Sequence, residues 1–273
     1  MRVLIAGAGD LGIRLALRLP ATDSVYGLRR NTAALPARML GVTVDLRRDP
    51  QHWPAPPEAL DAVVYALTPS QRDEAGYREV YIDGLMRLRR WLLGVPRLIF
   101  VSSTAVYGQS AGEWVDEQSP AASTSWNGRV LLEAEAAARR EWNEVVLLRL
   151  AGLYGPGRLW LQRRLQQGTT CQADPPAWTN RIHIDDAAAL LECLLRHPAP
   201  PPLLIGVDRE PAPECEVLSW LAGQLGLPAP RAVASAGASA GKRLRNDLAQ
   251  SLGWQPRYPG YRAGYLSVLG ELR

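Results

Sequence analysis

The chain has 273 residues, 47% of them hydrophobic, with a formal net charge of +4 and a pI near 9.1. This length suits one α/β domain carrying a smaller appended region. The arginines are spread beside Asp and Glu with no basic run interleaved with aromatic residues, so the charge argues against nucleic-acid binding and favours an anionic small molecule.

The chain begins with a short apolar strand that leads into a glycine-rich turn and a helix. Residues 3–6 form an unbroken apolar run, as expected of a strand covered on both faces. Glycines then follow in G-x-G-x-x-G spacing, which permits a tight turn, close approach of a pyrophosphate and close packing of helix on strand. The helix points its N-terminal amides at the phosphates. The cofactor-binding residues predicted here are Gly7, Gly9, Asp10, Leu11 and Gly12.

Further along the chain, predicted strands alternate with helices. The strands are residues 24–27, 42–45, 62–66, 98–102 and 145–150, and the long helices are residues 75–93 and 127–142. This order predicts an α/β, Rossmann-type doubly wound parallel sheet over residues 1–154. Residues 155–273, richer in Pro and Gly, are expected to form mainly a substrate-binding lid. In that region only residues 203–207 are predicted as a strand, returning to the sheet, and residues 232–241 are expected to be a loop.

The end of the second strand indicates which dinucleotide binds. NAD-binding folds place an acidic residue there, but this chain has Arg29 and Arg30, which suit a 2′-phosphate. The prediction is NADP, with NAD possible, although these arginines could also form a solvated loop. Asp45 is placed either to reach the adenine amino group or to cap a turn. The other strand-end residues expected beside the cofactor are Leu46, Ala66, Leu67 and Thr68.

The three cysteines and three histidines give no sign of a metal site or a disulfide framework. Cys171, Cys193 and Cys215 are odd in number and lack C-x-x-C spacing. No apolar run reaches the roughly 18 residues of a membrane span. Because the first strand begins at residue 2, no signal or transit peptide is expected ahead of it. The expectation is a cytoplasmic protein.

Four segments carry a family resemblance. They are VSSTAVYG at 101–108, RLAGLYGPGR at 149–158, NRIHIDDAA at 180–188 and the stretch at 241–261. In this order the segments resemble the extended short-chain dehydrogenase/reductases of the NAD-dependent epimerase/dehydratase family over nearly the whole chain. The likeness is greatest to an atypical bacterial branch without an assigned reaction.

The resemblance implies a Tyr-x-x-x-Lys pair for proton transfer, and this chain lacks it. Its only lysine is Lys242, far from the expected helix. Depending on register, the pair becomes Trp126/Val130 or Ser125/Arg129. In the second register Arg129 would supply a fixed positive charge, although it could also be a surface arginine.

Other roles are implied residue by residue. Ser103 corresponds to the active-site hydroxyl, with Thr104 beside it, although these two hydroxyls could instead form hydrogen bonds with the backbone. Tyr107 is the substitute proton donor. The catalytic candidates are therefore Ser103, Thr104, Tyr107 and Arg129. Leu153 is expected to flank the nicotinamide. The expected substrate-binding residues are Tyr154, Arg158, Asn180 and Arg181, although surface salt bridges could account for the arginines.

Two functions remain open from the sequence. One is an NADP-dependent oxidoreductase or nucleotide-sugar epimerase-like enzyme with a non-standard proton donor and a polar anionic substrate. The other is a non-catalytic NADP-binding redox sensor or partner-binding protein, which the absent Tyr–Lys pair motivates. In either case, the family resemblance implies a possible homodimer through the two long helices.

Overall fold

The computed structural model describes residues 1–235 and 240–270. Its strands are β1 (Arg2–Ala6), β2 (Ser24–Arg29), β3 (Leu40–Thr43), β4 (Ala62–Tyr65), β5 (Arg97–Ser103), β6 (Trp114–Val115), β7 (Val145–Leu150), β8 (Gly152–Tyr154), β9 (Thr170–Asp174), β10 (Trp178–Thr179), β11 (Arg181–His183), β12 (Leu203–Gly206), β13 (Ala212–Pro213), β14 (Arg231–Ala234) and β15 (Arg243–Leu244).

The α-helices are α1 (Asp10–Arg18), α2 (Glu74–Arg78), α3 (Gly84–Trp91), α4 (Trp126–Glu141), α5 (Trp160–Gln166), α6 (Ile184–Arg196), α7 (Glu214–Leu225), α8 (Asp247–Ser251) and α9 (Tyr261–Gly270). Among the helices of residues 1–235 and 240–270, none is long and apolar enough to cross a bilayer.

The predicted α/β fold class is confirmed by a seven-stranded sheet. Its order is β12-β7-β5-β4-β1-β2-β3, and β1 pairs in parallel with both β2 and β4. The chain builds outward from β1 to β3 on one side and then returns to build the other side from β4. The order therefore reverses between β1 and β4, where open α/β sheets bind ligands outside the carboxyl ends of their strands.

The predicted helix at residues 75–93 is interrupted by a wider turn. Between α2 and α3, Glu79–Asp83 forms a π-helical turn. The hydroxyl of buried Tyr65 on β4 donates to the Val80 carbonyl at 2.5 Å, and a Cβ on Gly84 would lie 3.0 Å from the same hydroxyl. A side chain that takes a carbonyl from the helical ladder widens the turn locally.

Two compact units make up the chain, and both are discontinuous in sequence. Unit 1 comprises Met1–Gly108, Ala121–Arg149 and Ala188–Leu204. Unit 2 comprises Gln109–Pro120, Leu150–Ala187 and the described part of Ile205–Arg273. The predicted boundary after residue 154 stays a prediction beside this interleaved division.

Unit 2 contains more strands than the sequence predicted. Beyond residue 155 only the strand at 203–207 was expected, yet that region also contains β9, β10, β11, β13, β14 and β15. Among them, β11 pairs with β8, and β9 pairs with β14. Strands of two to five residues are too short to show the alternation on which a prediction depends. The prediction of a loop from residue 232 is wrong for 232–234, which belong to β14; its residues 236–239 lie outside the described residues.

The expectation that the cysteines form no disulfide is also wrong. Cys171 on β9 is bonded to Cys215 in the first turn of α7, with their Cα atoms 5.2 Å apart. Cys193 takes no part in that bond. The odd number of cysteines could not reveal this pair, because one cysteine simply stays outside it.

Candidate cofactor and active site

A cavity of about 330 Å³ in unit 1 lies beyond the carboxyl ends of β1, β2 and β4. It brings together eight of the predicted cofactor-binding residues, Gly7, Gly9, Arg29, Arg30, Asp45, Leu46, Leu67 and Thr68. The remaining lining residues, which the sequence analysis missed, are Ala8, Leu28, Asn31, Val44, Arg47, Ser70 and Val80. Asp10, Leu11, Gly12 and Ala66 adjoin this wall in sequence without lining it, and Leu153 lies in unit 2.

The glycine turn is closely packed at Gly7 and Gly12 and open at Gly9. Gly7 has a φ of +93°, and a Cβ there would lie 2.7 Å from the Ala66 carbonyl oxygen. A Cβ on Gly12 would lie 2.8 Å from Cγ2 of Ile5, so helix α1 packs closely on β1. A Cβ on Gly9 would meet only the Gly7 carbonyl, 4.0 Å away. The space beside the Gly9 Cα is therefore open, although the Gly9 amide donates to the Gly7 carbonyl at 2.7 Å. Helix α1, which has no side-chain cap, begins immediately after this residue.

The three arginines of the cavity differ in their contacts. Nη1 of Arg29 donates to the Ala8 carbonyl at 3.2 Å, and its side chain is half-buried. Arg30 is exposed and makes no ion pair with any residue that the structure describes. Arg47 forms a bidentate pair with Asp45, with Nε–Oδ1 and Nη2–Oδ2 distances of 3.0 and 2.7 Å. This pairing lowers the pKa of Asp45 to about 2, with a smaller contribution from the charge of Arg30.

Among the lining residues that the sequence analysis missed, Arg47 is the charged one. It follows Asp45 by two positions, at the end of the strand that the sequence analysis already placed beside the cofactor. The structure ends β3 at Thr43, so Asp45 and Arg47 both lie in the turn beyond it. An arginine two residues after a strand-end acid was the available signal.

The hydroxyls predicted for the active site, Ser103 and Thr104, lie beside the first turn of α4. Ser103 ends β5, and its Oγ accepts from the Ala105 amide at 3.2 Å. Thr104 begins a buried 3₁₀ turn that follows. A Cβ on Gly128 would lie 2.5 Å from the Ala105 carbonyl, so this glycine allows α4 to pack against that turn. The strand end and the helix start are thus in direct contact within unit 1.

Neither register of the missing pair is occupied by a tyrosine or a lysine. Ser125 caps α4 by accepting from the Gly128 amide at 3.3 Å, and Arg129 lies exposed on its first turn. In the other register, Val130 is buried and Trp126 packs edge-on against Tyr77, with ring centroids 4.9 Å apart. Arg129 has no ion pair among the residues described.

Tyr107 belongs to a buried polar network. Its side chain is 2% exposed, and the guanidinium of Arg149 lies over its ring, 4.9 Å from the centroid. Arg149 donates to both carboxylate oxygens of Glu135, at 3.0 and 2.6 Å. Ser102 donates to the same carboxylate at 2.7 Å. The network ties β5, α4 and β7 together and fixes the Tyr107 ring.

Most of the predicted substrate residues surround a small cavity inside unit 2. This cavity, of about 70 Å³, is lined in part by Leu153, Tyr154, Asn180 and Arg181. The amide of Asn180 donates to the Lys242 carbonyl at 2.7 Å and accepts from the Leu244 amide at 2.8 Å.

The predicted arginines of unit 2 are placed differently. Arg181 is 6% exposed, donates to Thr179, and lies over the Tyr261 ring. It is therefore engaged within the unit. Arg158 does not line the 70 Å³ cavity.

Asp208 in unit 2 is a buried acid that the sequence did not single out. It is 1% exposed, and its Oδ1 accepts from the Glu210 amide at 3.1 Å. Its Oδ2 has no hydrogen-bond partner within the described part of the chain. Burial raises the pKa of Asp208 to about 8, although the charge of Arg181 opposes this shift.

Two relatives are similar to this chain in sequence. The chain is 34% identical over 212 residues to protein YeeZ of Escherichia coli K12, covering 72% of this chain and 74% of YeeZ. It is 27% identical to a 3-diazoavenalumate denitrifying reductase of a Streptomyces species, over 97% of this chain and 99% of the reductase.

Two solved structures superpose on this chain over its full length. A Methylobacillus flagellatus protein assigned as an NAD-dependent epimerase/dehydratase superposes with a TM-score of 0.82 at 35% identity, covering 100% of this chain and 98% of that one. UDP-glucuronic acid 4-epimerase of Bacillus cereus, solved with UDP-glucuronic acid and NAD, has a TM-score of 0.77 at 19% identity, covering 100% of both chains. The second similarity concerns the fold alone.

The model of the NAD-dependent epimerase/dehydratase family matches residues 3–206. This match covers the glycine turn, the basic cavity wall, the Ser103 strand end and β12. The chain therefore belongs to the NAD-dependent epimerase/dehydratase family.

Proposed function

We propose that the protein is an NADP-dependent oxidoreductase or epimerase-like enzyme acting on a polar, anionic substrate such as a sugar nucleotide. The observation that carries this proposal is the unit 1 cavity, where an open glycine turn and three arginines share one wall. The family match and a relative that is a reductase support the reaction class.

Different residues of the chain would bind the cofactor and polarise the substrate. Gly9 and the first turn of α1 would hold the pyrophosphate, and exposed arginines of the same cavity would hold the 2′-phosphate. When bound, the nicotinamide supplies hydride chemistry. Ser103 would polarise the substrate oxygen, with Thr104 beside it. Arg129 would provide a fixed positive charge, since an arginine does not exchange its proton in this pH range.

Tyr107 remains our candidate for the proton donor. Its ring is fixed beneath Arg149, one residue after the turn that begins at Thr104. A donor held in one orientation loses little entropy when a substrate binds.

One observation favours a second candidate function, an NADP-binding sensor without turnover. The helix position that would carry the proton-transfer pair holds Trp126 packed on Tyr77 and a buried Val130. Such a protein would bind the dinucleotide and change its affinity for a protein partner.

The test is NADPH oxidation by the purified protein with a panel of carbonyl compounds, together with product analysis for sugar nucleotides. We expect turnover with an anionic substrate, reduced at least about tenfold by Ser103→Ala without a change in NADP⁺ affinity. Ser251→Ala, an exposed hydroxyl in unit 2, is the matched control. NADP⁺ binding without turnover on any substrate would contradict the enzyme and favour the sensor.

A further inference from the structure

The basic wall of the unit 1 cavity holds three arginines, Arg29, Arg30 and Arg47, against one lining acid, Asp45. Guanidinium groups bind phosphate oxygens through paired, charge-assisted hydrogen bonds, so any of the three has the chemistry to recognise a 2′-phosphate. They differ in the hydrogen bonds and ion pairs that each already makes within the protein, and this difference separates their roles.

Arg29 already forms a hydrogen bond with the glycine turn. Its donor to the Ala8 carbonyl joins the end of β2 to the residue between the first two glycines of the motif. The amides of Gly7 and Ala8 also donate to the Leu28 carbonyl, at 3.1 and 3.3 Å. Because NAD and NADP share the pyrophosphate that this turn receives, Arg29 supports both and discriminates little between them.

Arg47 is held only at the surface. Its side chain is 56% exposed, and its guanidinium and backbone amide all donate to the Asp45 carboxylate. Exposed ion pairs exchange partners at little cost, so a phosphate that enters the cavity can compete with Asp45 for this guanidinium. Arg30 lines the same cavity as Arg47, and its charge also lowers the pKa of Asp45.

We propose that Arg47, acting with Arg30, selects the coenzyme: its guanidinium leaves Asp45 and binds the 2′-phosphate of NADP. Before the coenzyme binds, the ion pair with the Asp45 carboxylate keeps the Arg47 side chain at the cavity wall. This inference rests on the proposed function, because it names the residue that sets the preference for NADP. No covalent bond forms or breaks in the exchange.

Titration calorimetry with NADP⁺, NAD⁺ and 2′,5′-ADP tests the assignment. We expect Arg47→Ala to weaken NADP⁺ and 2′,5′-ADP about tenfold or more and NAD⁺ less than about twofold. Arg29→Ala should weaken NADP⁺ and NAD⁺ by similar factors. Arg48→Ala is the matched control, since Arg48 is the exposed next residue and does not line the cavity. It should leave all three affinities unchanged.

The outcomes separate this inference from the proposed cofactor. Equal weakening of NADP⁺ and NAD⁺ by Arg47→Ala, or no weakening of NADP⁺, would overturn the role of Arg47. If the wild-type protein shows no preference for NADP⁺ while Arg47→Ala still weakens NADP⁺ selectively, the proposed preference fails and the role of Arg47 stands.

Discussion

Asp208 shows how burial changes the chemistry of a single residue. Its carboxyl lies inside unit 2 with Oδ2 unpartnered among the described residues, and burial raises its pKa to about 8, far above the value of 3.8 for a free carboxyl. The folded state therefore holds a proton that the unfolded state has released. The free energy of unfolding should fall as pH rises from about 4 to about 8, by a few kcal/mol.

Asp208→Asn should remove this pH dependence. We expect the variant to be more stable than the wild type at pH 9 and similar to it near pH 4, as measured by urea unfolding across that range. The exposed Asp247→Asn is the control. Parallel pH profiles for Asp208→Asn and the wild type would show that Asp208 does not retain its proton.

The glycine turn allows a residue-scale test that separates folding from binding. Gly9→Ala adds a methyl group to open space, so the free energy of unfolding should change by less than about 0.5 kcal/mol. The same methyl group occupies the approach to the backbone, and dinucleotide affinity should fall at least about tenfold. Calorimetry and urea unfolding measure the two effects. Unchanged NADP⁺ affinity would place the pyrophosphate elsewhere.

Gly7→Ala is the contrasting variant. Its φ of +93° and the approach of the Ala66 carbonyl within 2.7 Å leave no room for a side chain. We expect it to destabilise unit 1 as well as abolish binding.

At the scale of elements, the buried Glu135–Arg149 pair joins α4 to β7. Both side chains are at most 5% exposed and are paired through two hydrogen bonds. Glu135→Gln leaves the buried guanidinium without its counter-charge, which should cost about 3 kcal/mol in the free energy of unfolding. Urea denaturation measures this loss.

Glu133→Gln is the matched control on the same helix. Glu133 pairs with Arg78 at the surface, where both side chains are about half exposed, so its loss should have little effect. If both variants unfold at the same urea concentration, the buried pair does not hold these elements together.

The elements of the sheet were predictable because each strand is a continuous apolar run between turn residues. The predicted strand at 145–150 coincides with β7, and the G-x-G-x-x-G turn lies where its spacing requires. The short strands of unit 2 were not predicted, since most have only two or three residues and the longest, β9, has five and mixes polar with apolar residues. The π-helical turn depends on one hydroxyl of β4 reaching Val80, which only the folded structure reveals.

The site was predictable to the same extent as its strands. The glycine motif and the strand ends together supplied eight of the cavity residues, whereas Arg47 was missed because it lies in the turn beyond β3, which ends at Thr43. Asp208 was missed because nothing local to it signals burial. The pairing of Cys171 with Cys215 joins residues 44 apart, and only the fold brings them together.

At the scale of the whole molecule, the disulfide in unit 2 closes a loop of 44 residues. The chain should therefore show one titratable thiol when denatured without a reductant, and three after reduction. Because the disulfide restricts the conformations of the unfolded chain, its reduction should lower the free energy of unfolding by about 2–4 kcal/mol. Cys193→Ala is the control, with no thiol before reduction. Three thiols in the unreduced wild-type protein would contradict the pairing.

The central claim, an NADP site formed by the glycine turn and the basic wall of unit 1, is tested most directly by titrating the wild-type protein with NADP⁺ and NAD⁺ in a calorimeter. We expect NADP⁺ to bind at least about tenfold more tightly, with the advantage shrinking as salt screens the exposed arginines. Equal affinity for the two coenzymes would contradict the NADP preference, and binding of neither would contradict the cofactor site itself.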